Sequence, residues 1–224
     1  MAMTDEEYML RAVELAKKGT GWTNPNPLVG AVIVKGGRII GEGYHKKYGG
    51  LHAEREALAS ANEDVSGATI YVTLEPCCHY GKQPPCVNAI IEAGIKRVVI
   101  GSYDPNPLVA GKGVDILREH NITVDDKLVC SEECKSLNYV FFNYIKEKKP
   151  YVILKYAQSL DGKIATHTGL SQWITGETAR NKVHMDRHRY SAVMVGVETV
   201  IKDNPMLTLS LIHISEPTRR RGIS

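Results

Sequence analysis

The chain has 224 residues, 43% of them hydrophobic and 24% charged, the composition of a globular protein with a core to bury. Its formal net charge is +3, of which Arg219, Arg220 and Arg221 against Glu216 supply +2, so the remaining +1 argues against a nucleic-acid surface. No apolar run approaches the roughly 18 residues that cross a bilayer, and the acidic start MAMTDEEYML lacks the basic and apolar regions of a signal peptide. Cytoplasm is the expected compartment, and five cysteines there point to metal or catalysis rather than disulfides.

In TDEEYMLRAVELAKKG, Thr4 and Glu7 form a capping box ahead of apolar positions at helical spacing, and the helix is expected to stop at Gly19. LVGAVIVKGGRIIGEGYH reads as two β-rich runs turned at Gly36-Gly37. A helix over 52–61 follows, then ATIYVTLEP as a buried strand ended by Pro76. PCVNAIIEAG reads as a helix with Pro85 near its start and Gly94 past its end. The strand IKRVVIGSYD, a helix around 113–120, NITVDD and a helix over 131–146 complete the stretch. Strands alternating with helices predict an α/β layered domain whose sheet is largely parallel beyond the first hairpin. The charged KEKKP places a domain boundary at 146–150, after which come a β-rich run, KYAQSLDGKIA, a helix over 177–189 and a strand, SAVMVG.

The helix over 52–61 opens on His52-Ala53-Glu54, which by itself is an ordinary acidic first turn facing the helix dipole. The segment EPCCHYGKQPPC then adds Cys77 and Cys86. One histidine and two thiolates can fill three corners of a zinc tetrahedron and leave the fourth open, the arrangement of a catalytic site with one zinc per chain. Glu54, a carboxylate beside the ligands but not one of them, is placed to move protons, as in zinc deaminases. Both ligand segments are expected to open helices, whose positive ends favour thiolates. A structural zinc site with Cys78 as fourth ligand competes, although adjacent cysteines rarely reach one ion in good geometry. Eight residues separate Cys77 from Cys86, where nucleic-acid and free-base deaminases have Pro-Cys-x-x-Cys.

Together, TNPNPLVGAVIV, GEGYH, HAE, EPCCHYGKQPPC and DPNPLVAGKG resemble the deaminase domain of the bifunctional riboflavin biosynthesis deaminase/reductase family over residues 5–146, and the long insert between the cysteines is specific to that family. The resemblance implies a cytidine-deaminase-like three-layer α/β/α domain. It implies a small-molecule partner, 2,5-diamino-6-(5-phosphoribosylamino)pyrimidin-4(3H)-one, whose 2-amino group leaves as ammonia. It assigns Asn26, His45, His79 and Lys82 to substrate binding, the last three as phosphate donors and Asn26 at the ribose end. Asp104 and Asn106 read equally as turn-formers or substrate contacts. Cys130 and Cys134, one helical turn apart with no histidine nearby, read as core or surface helix residues.

KYAQSLDGKIA, SQWITG and VGVETVIKDNPMLT are similar to the start of the same family's reductase domain, which is dihydrofolate-reductase-like and uses NADPH. By that resemblance Ala157, Trp173, Thr199 and Asp203 face the cofactor, and Ser171, Arg187 and Leu207 face the sugar phosphate. The likeness stops after Thr208, with Ser210 where the family has arginine. Residues 1–146 are therefore expected to be a deaminase domain, 147–208 the incomplete start of a reductase domain, and 209–224 a foreign tail, with reduction lost in this chain. No nucleic-acid or membrane partner is expected, and a homo-oligomer is left open. Two other readings stand beside this one: a zinc deaminase of another base or nucleotide, such as a tRNA adenosine, and a non-catalytic zinc module.

Overall fold

A computed structural model of the chain describes residues 3–107, 109–125 and 127–209. The chain divides into two compact units between Tyr151 and Val152. In the first, the Thr4 hydroxyl accepts the Glu7 N–H and the Glu7 carboxylate accepts the Thr4 N–H, closing the first turn of helix α1 (Asp5–Lys17). Such reciprocal caps satisfy two donors that the helix itself leaves unpaired. Strands β1 (Gly30–Lys35) and β2 (Arg38–Tyr44) pair antiparallel through a turn in which Gly36 and Gly37 both hold positive φ. Then come α2 (Ala53–Ser60), β3 (Thr69–Val72), α3 (Cys86–Glu92), β4 (Arg97–Ile100), α4 (Lys112–Glu119) and β5 (Thr123–Val124).

The sheet order is β2-β1-β3-β4-β5. Strand β1 meets both neighbours antiparallel, and the parallel part runs from β3 to β5. Strand alternation sends Ile33, Ile70, Val72, Val98 and Ile100 to one face, against Ala57, Val87, Ile90 and Leu117 of α2, α3 and α4. Val32, Val34, Tyr71 and Val99 face the other way, against α1 and helix α5 (Ser131–Leu137). The result is the expected three-layer α/β/α domain, each fully buried large aliphatic contributing about 1.5–3 kcal/mol.

The expected helix over 131–146 is two helices, α5 and α6 (Tyr139–Glu147), broken at Asn138. The Asn138 side chain is buried and spans the backbone of Leu28, its Oδ1 accepting the Leu28 N–H at 2.7 Å and its Nδ2 donating to the Leu28 carbonyl at 2.8 Å. That bridge holds residue 138 at φ −122° and ψ 22°, outside the helical well.

The second unit contains α7 (Glu177–Arg189), as expected, and α8 (Val197–Asp203). The strands expected in KYAQSLDGKIA and SAVMVG are absent among the described residues. A strand needs a partner edge for its backbone and cover for its side chains, whereas Leu154 is 83% and Met194 90% exposed. Residues 210–224, which carry nearly all of the expected foreign tail, lie outside the described residues. No helix among the described residues is long and apolar enough to cross a membrane.

Candidate metal centre and its pocket

The centre forms at the carboxyl ends of the parallel strands, the side of an open α/β sheet where ligands bind. His52 is the N-cap of α2, Cys77 lies on the loop after β3, and Cys86 is the first residue of α3. Helix α2 reaches this position because it lies directly on β2: a Cβ on Gly43 would overlap the backbone of Ala53 and Ala57. The GEG of that strand is thus a packing requirement of the helix that carries His52 and Glu54. The His52 Nδ1 stands 3.5 Å from the Cys77 Sγ and 3.3 Å from the Cys86 Sγ, and the three ligand atoms lie within 4.8 Å of one another. Tetrahedral zinc with bonds of about 2.3 Å to sulfur and 2.0 Å to nitrogen sets those pairs about 3.5 Å apart. Soft sulfur donors, one imidazole and an open side on a cavity fit zinc with one position left for a reactant.

Electrostatics agree with a set of groups sharing protons that a cation would displace. The Cys86 thiol bonded to the Cys77 sulfur, together with His52, holds Cys77 well below the usual thiol range. Cys86 is pushed up by the same partner, and the bond to Cys77 raises His52. Glu54 lies 3% exposed beside them, its carboxyl pushed up to about 7 by burial and then by the charge of Cys77. A buried carboxyl held near neutrality can both take and give a proton. His52, Glu54 and Cys77 line a cavity of about 280 Å³.

Asn26, His45, His79 and Lys82 all line the same cavity, in two groups. His45 is buried, its Nδ1 2.9 Å from the Leu51 carbonyl and its Nε2 3.2 Å from the Asn26 Nδ2. Burial lowers its pKa, so the neutral ring donates from Nδ1 to the carbonyl and accepts at Nε2 from Asn26. His45 also packs edge-on to His52, with ring centroids 5.4 Å apart. His79 and Lys82 are exposed on the insert between the two cysteines, with the Lys82 Nζ 4.0 Å from the Tyr48 ring centroid. The Gln83 amide donates to the Gly49 carbonyl at 3.2 Å, tying the insert to the loop after β2. Asp104 forms a turn, its Oδ1 accepting the Asn106 N–H at 2.8 Å, and both residues also line the cavity. Cys78 is not in the ligand group; Cys134 is fully buried in the core, and Cys130 precedes α5.

Tyr48, Glu75 and Gln83 also line the cavity and were not legible beforehand. Only Glu75 carried a signal, a charge placed directly on the end of a buried apolar run.

In the second unit the residues assigned by resemblance stand on separate segments. Ala157, Ser171 and Trp173 lie in irregular chain, Arg187 on α7, Thr199 and Asp203 on α8, and Leu207 beyond it. Trp173 stacks under the Arg180 guanidinium at 4.5 Å, and Arg187 donates to the Thr208 carbonyl at 3.2 Å. Of the four cofactor positions all but Ala157 are exposed.

Residues 2–102 match the cytidine and deoxycytidylate deaminase zinc-binding region. The first unit therefore falls in the class of zinc-binding deaminase domains, as its sheet and ligand triad define it. Residues 150–220 match the RibD C-terminal domain, a match running past Thr208. Nearly the whole chain aligns with the riboflavin biosynthesis protein RibD of Actinobacillus pleuropneumoniae, at 60% identity over 97% of this chain and 57% of the relative. With RibD of Aquifex aeolicus the identity is 54%, over 98% and 60%. A crystal structure of a diaminohydroxyphosphoribosylaminopyrimidine deaminase/5-amino-6-(5-phosphoribosylamino)uracil reductase from Thermotoga maritima superposes with a TM-score of 0.88 and 57% identity, covering 93% of this chain and 60% of that one. The chain is thus similar to the RibD riboflavin biosynthesis proteins along nearly its whole length, and spans about three fifths of the length of these relatives.

Proposed function

We propose that the first unit hydrolyses the 2-amino group of 2,5-diamino-6-(5-phosphoribosylamino)pyrimidin-4(3H)-one, giving 5-amino-6-(5-phosphoribosylamino)uracil and ammonia in riboflavin biosynthesis. The observation that carries the reading is the open triad of His52, Cys77 and Cys86 with Glu54 buried against it. Held by those three residues, zinc would supply the Lewis acidity that brings the ionisation of water near neutral pH. Glu54 takes a proton from the attacking water and returns it to the departing nitrogen, so that a C–O bond forms at C2 as the C–N bond breaks. Because Asn26 gives its amide N–H to His45, its Oδ1 is left to accept a ribose hydroxyl. Lys82 and His79, on the insert, hold the phosphate by charge-assisted hydrogen bonds.

The name of the Thermotoga relative supports the substrate, and the insert between the cysteines supports a phosphorylated small molecule over a nucleic acid. A tRNA adenosine is not favoured by a charge that falls to about +1 without the arginine-rich end. Phosphorylated metabolites are cytoplasmic, and the proposal sets the protein there. It is confined to the first unit; the seven reductase positions supply no step. The test is ammonia release from the phosphoribosyl substrate by wild type and Glu54→Gln. The variant keeps its zinc and turns over at least about 10²-fold more slowly, the low end for general acid–base catalysis. Wild-type turnover by Glu54→Gln rules the mechanism out.

A further inference from the structure

Glu75 lies on the loop three residues past β3 and two before Cys77, 3% exposed and unused by the reaction above. Its Oε2 accepts the Gly111 N–H at 3.0 Å and the Asp104 N–H at 3.4 Å, while its Oε1 accepts the Gly113 N–H at 3.1 Å. Its own N–H donates to the Ser102 carbonyl at 2.9 Å. Helix α4 begins after Gly111 with no side-chain cap of its own, so the Glu75 carboxylate serves as a remote one at the positive end of the helix. The same carboxylate holds the other end of that loop at Asp104, from which Asp104 and Asn106 reach the cavity. Strand β3 therefore leads both to a ligand of the metal centre and to the anchor of a wall of its pocket. Three N–H groups converge on a carboxylate because it only accepts; a glutamine would turn an NH₂ against donors.

We propose that Glu75 is a positioning residue that fixes the loop bearing Asp104 and Asn106 and thereby sets how tightly substrate is held. The kinetic part of this rests on the deaminase reading; the structural part does not. The experiment compares the full chain with its Glu75→Gln variant in amide hydrogen exchange, zinc content and steady-state ammonia release. Exchange at Gly111 and Gly113 speeds up and KM rises, each at least about tenfold, the equivalent of one lost bond to a charged group. Zinc stays at one per chain, and kcat changes far less than KM. Unchanged exchange at both glycines overturns the proposal, as does a loss of kcat and zinc at constant KM. If wild type releases no ammonia, the deaminase reading fails and the exchange result alone decides on Glu75. Should Glu75→Gln not fold, Gly111→Ala replaces it. The added Cβ meets open space, but the φ of +87° is strained for alanine, which loosens the same bond with the carboxylate intact. Faster exchange at Gly113 and a raised KM are expected there, and wild-type values overturn the proposal.

Discussion

Cys77 and Cys78 are neighbours in the chain with opposite surroundings. The Cys77 sulfur lies 3.5 Å from the His52 Nδ1, whereas Cys78 packs against the apolar cluster under α2, α3 and α4. Cys77→Ala and Cys86→Ala each leave an ion with two ligands, so both variants lose zinc and activity, while Cys78→Ala keeps both. Elemental analysis checks this, and zinc retained in Cys77→Ala would sink the ligand assignment. Lys82 lines the cavity, and the phosphate contact proposed for it, made in ground and transition states alike, would act on binding. Lys82→Ala should therefore raise KM about tenfold with little change in kcat, the loss of one charge-assisted bond. On a dephosphorylated substrate the same variant should differ little from wild type; equal losses on both substrates place Lys82 elsewhere. The ligand triad was legible in the sequence because zinc demands particular residue types at compatible spacing. The state of His45 was not, because it depends on Leu51 and Asn26 meeting opposite nitrogens of one buried ring. Glu75 was hidden for a similar reason: its three partners are backbone N–H groups, which no residue type announces.

Among the elements, α1 and α2 were the easiest to read, since a capping box or an N-terminal histidine followed by an acidic turn is a local signal. The break between α5 and α6 has a non-local cause. Asn138 leaves the helix to pair with Leu28, 110 residues away, and nothing in KSLNYVFF records that need. Replacing Asn138 by alanine strips both backbone groups of Leu28 of their partner in a buried place. The expected cost is about 1–3 kcal/mol, the penalty for leaving a buried donor or acceptor unmade. A urea titration followed by circular dichroism measures it, and an unchanged midpoint would mean that Leu28 finds other partners. The strands expected after residue 150 failed for a related reason. Apolar alternation identifies a chain able to be a strand, but the edge that would pair with it is a property of the fold.

At the scale of the molecule, the question is whether the metal centre draws on anything beyond Tyr151. Both apolar clusters are built from residues 8 to 137, and every residue lining the cavity lies between Asn26 and Phe141. Arg97 ties the unit together at the opposite end from the centre, its Nη2 bonding the Asp5 carboxylate at 2.6 Å and the Asp125 carboxylate at 2.5 Å. That pairing holds Asp5 below the usual carboxylate range and pins the first turn of α1 to the chain that follows β5. The last ring contact of the unit, Tyr139 with Tyr151 at 5.1 Å, also closes within it. A domain of about 150 residues buries some two thirds of its surface on folding, enough to stand alone. The chain cut after Tyr151 should therefore fold, hold one zinc and release ammonia with the KM and kcat of the whole chain. Loss of zinc or of substrate affinity on that cut would show that residues after 151 complete the centre, and would move part of the site into the second unit.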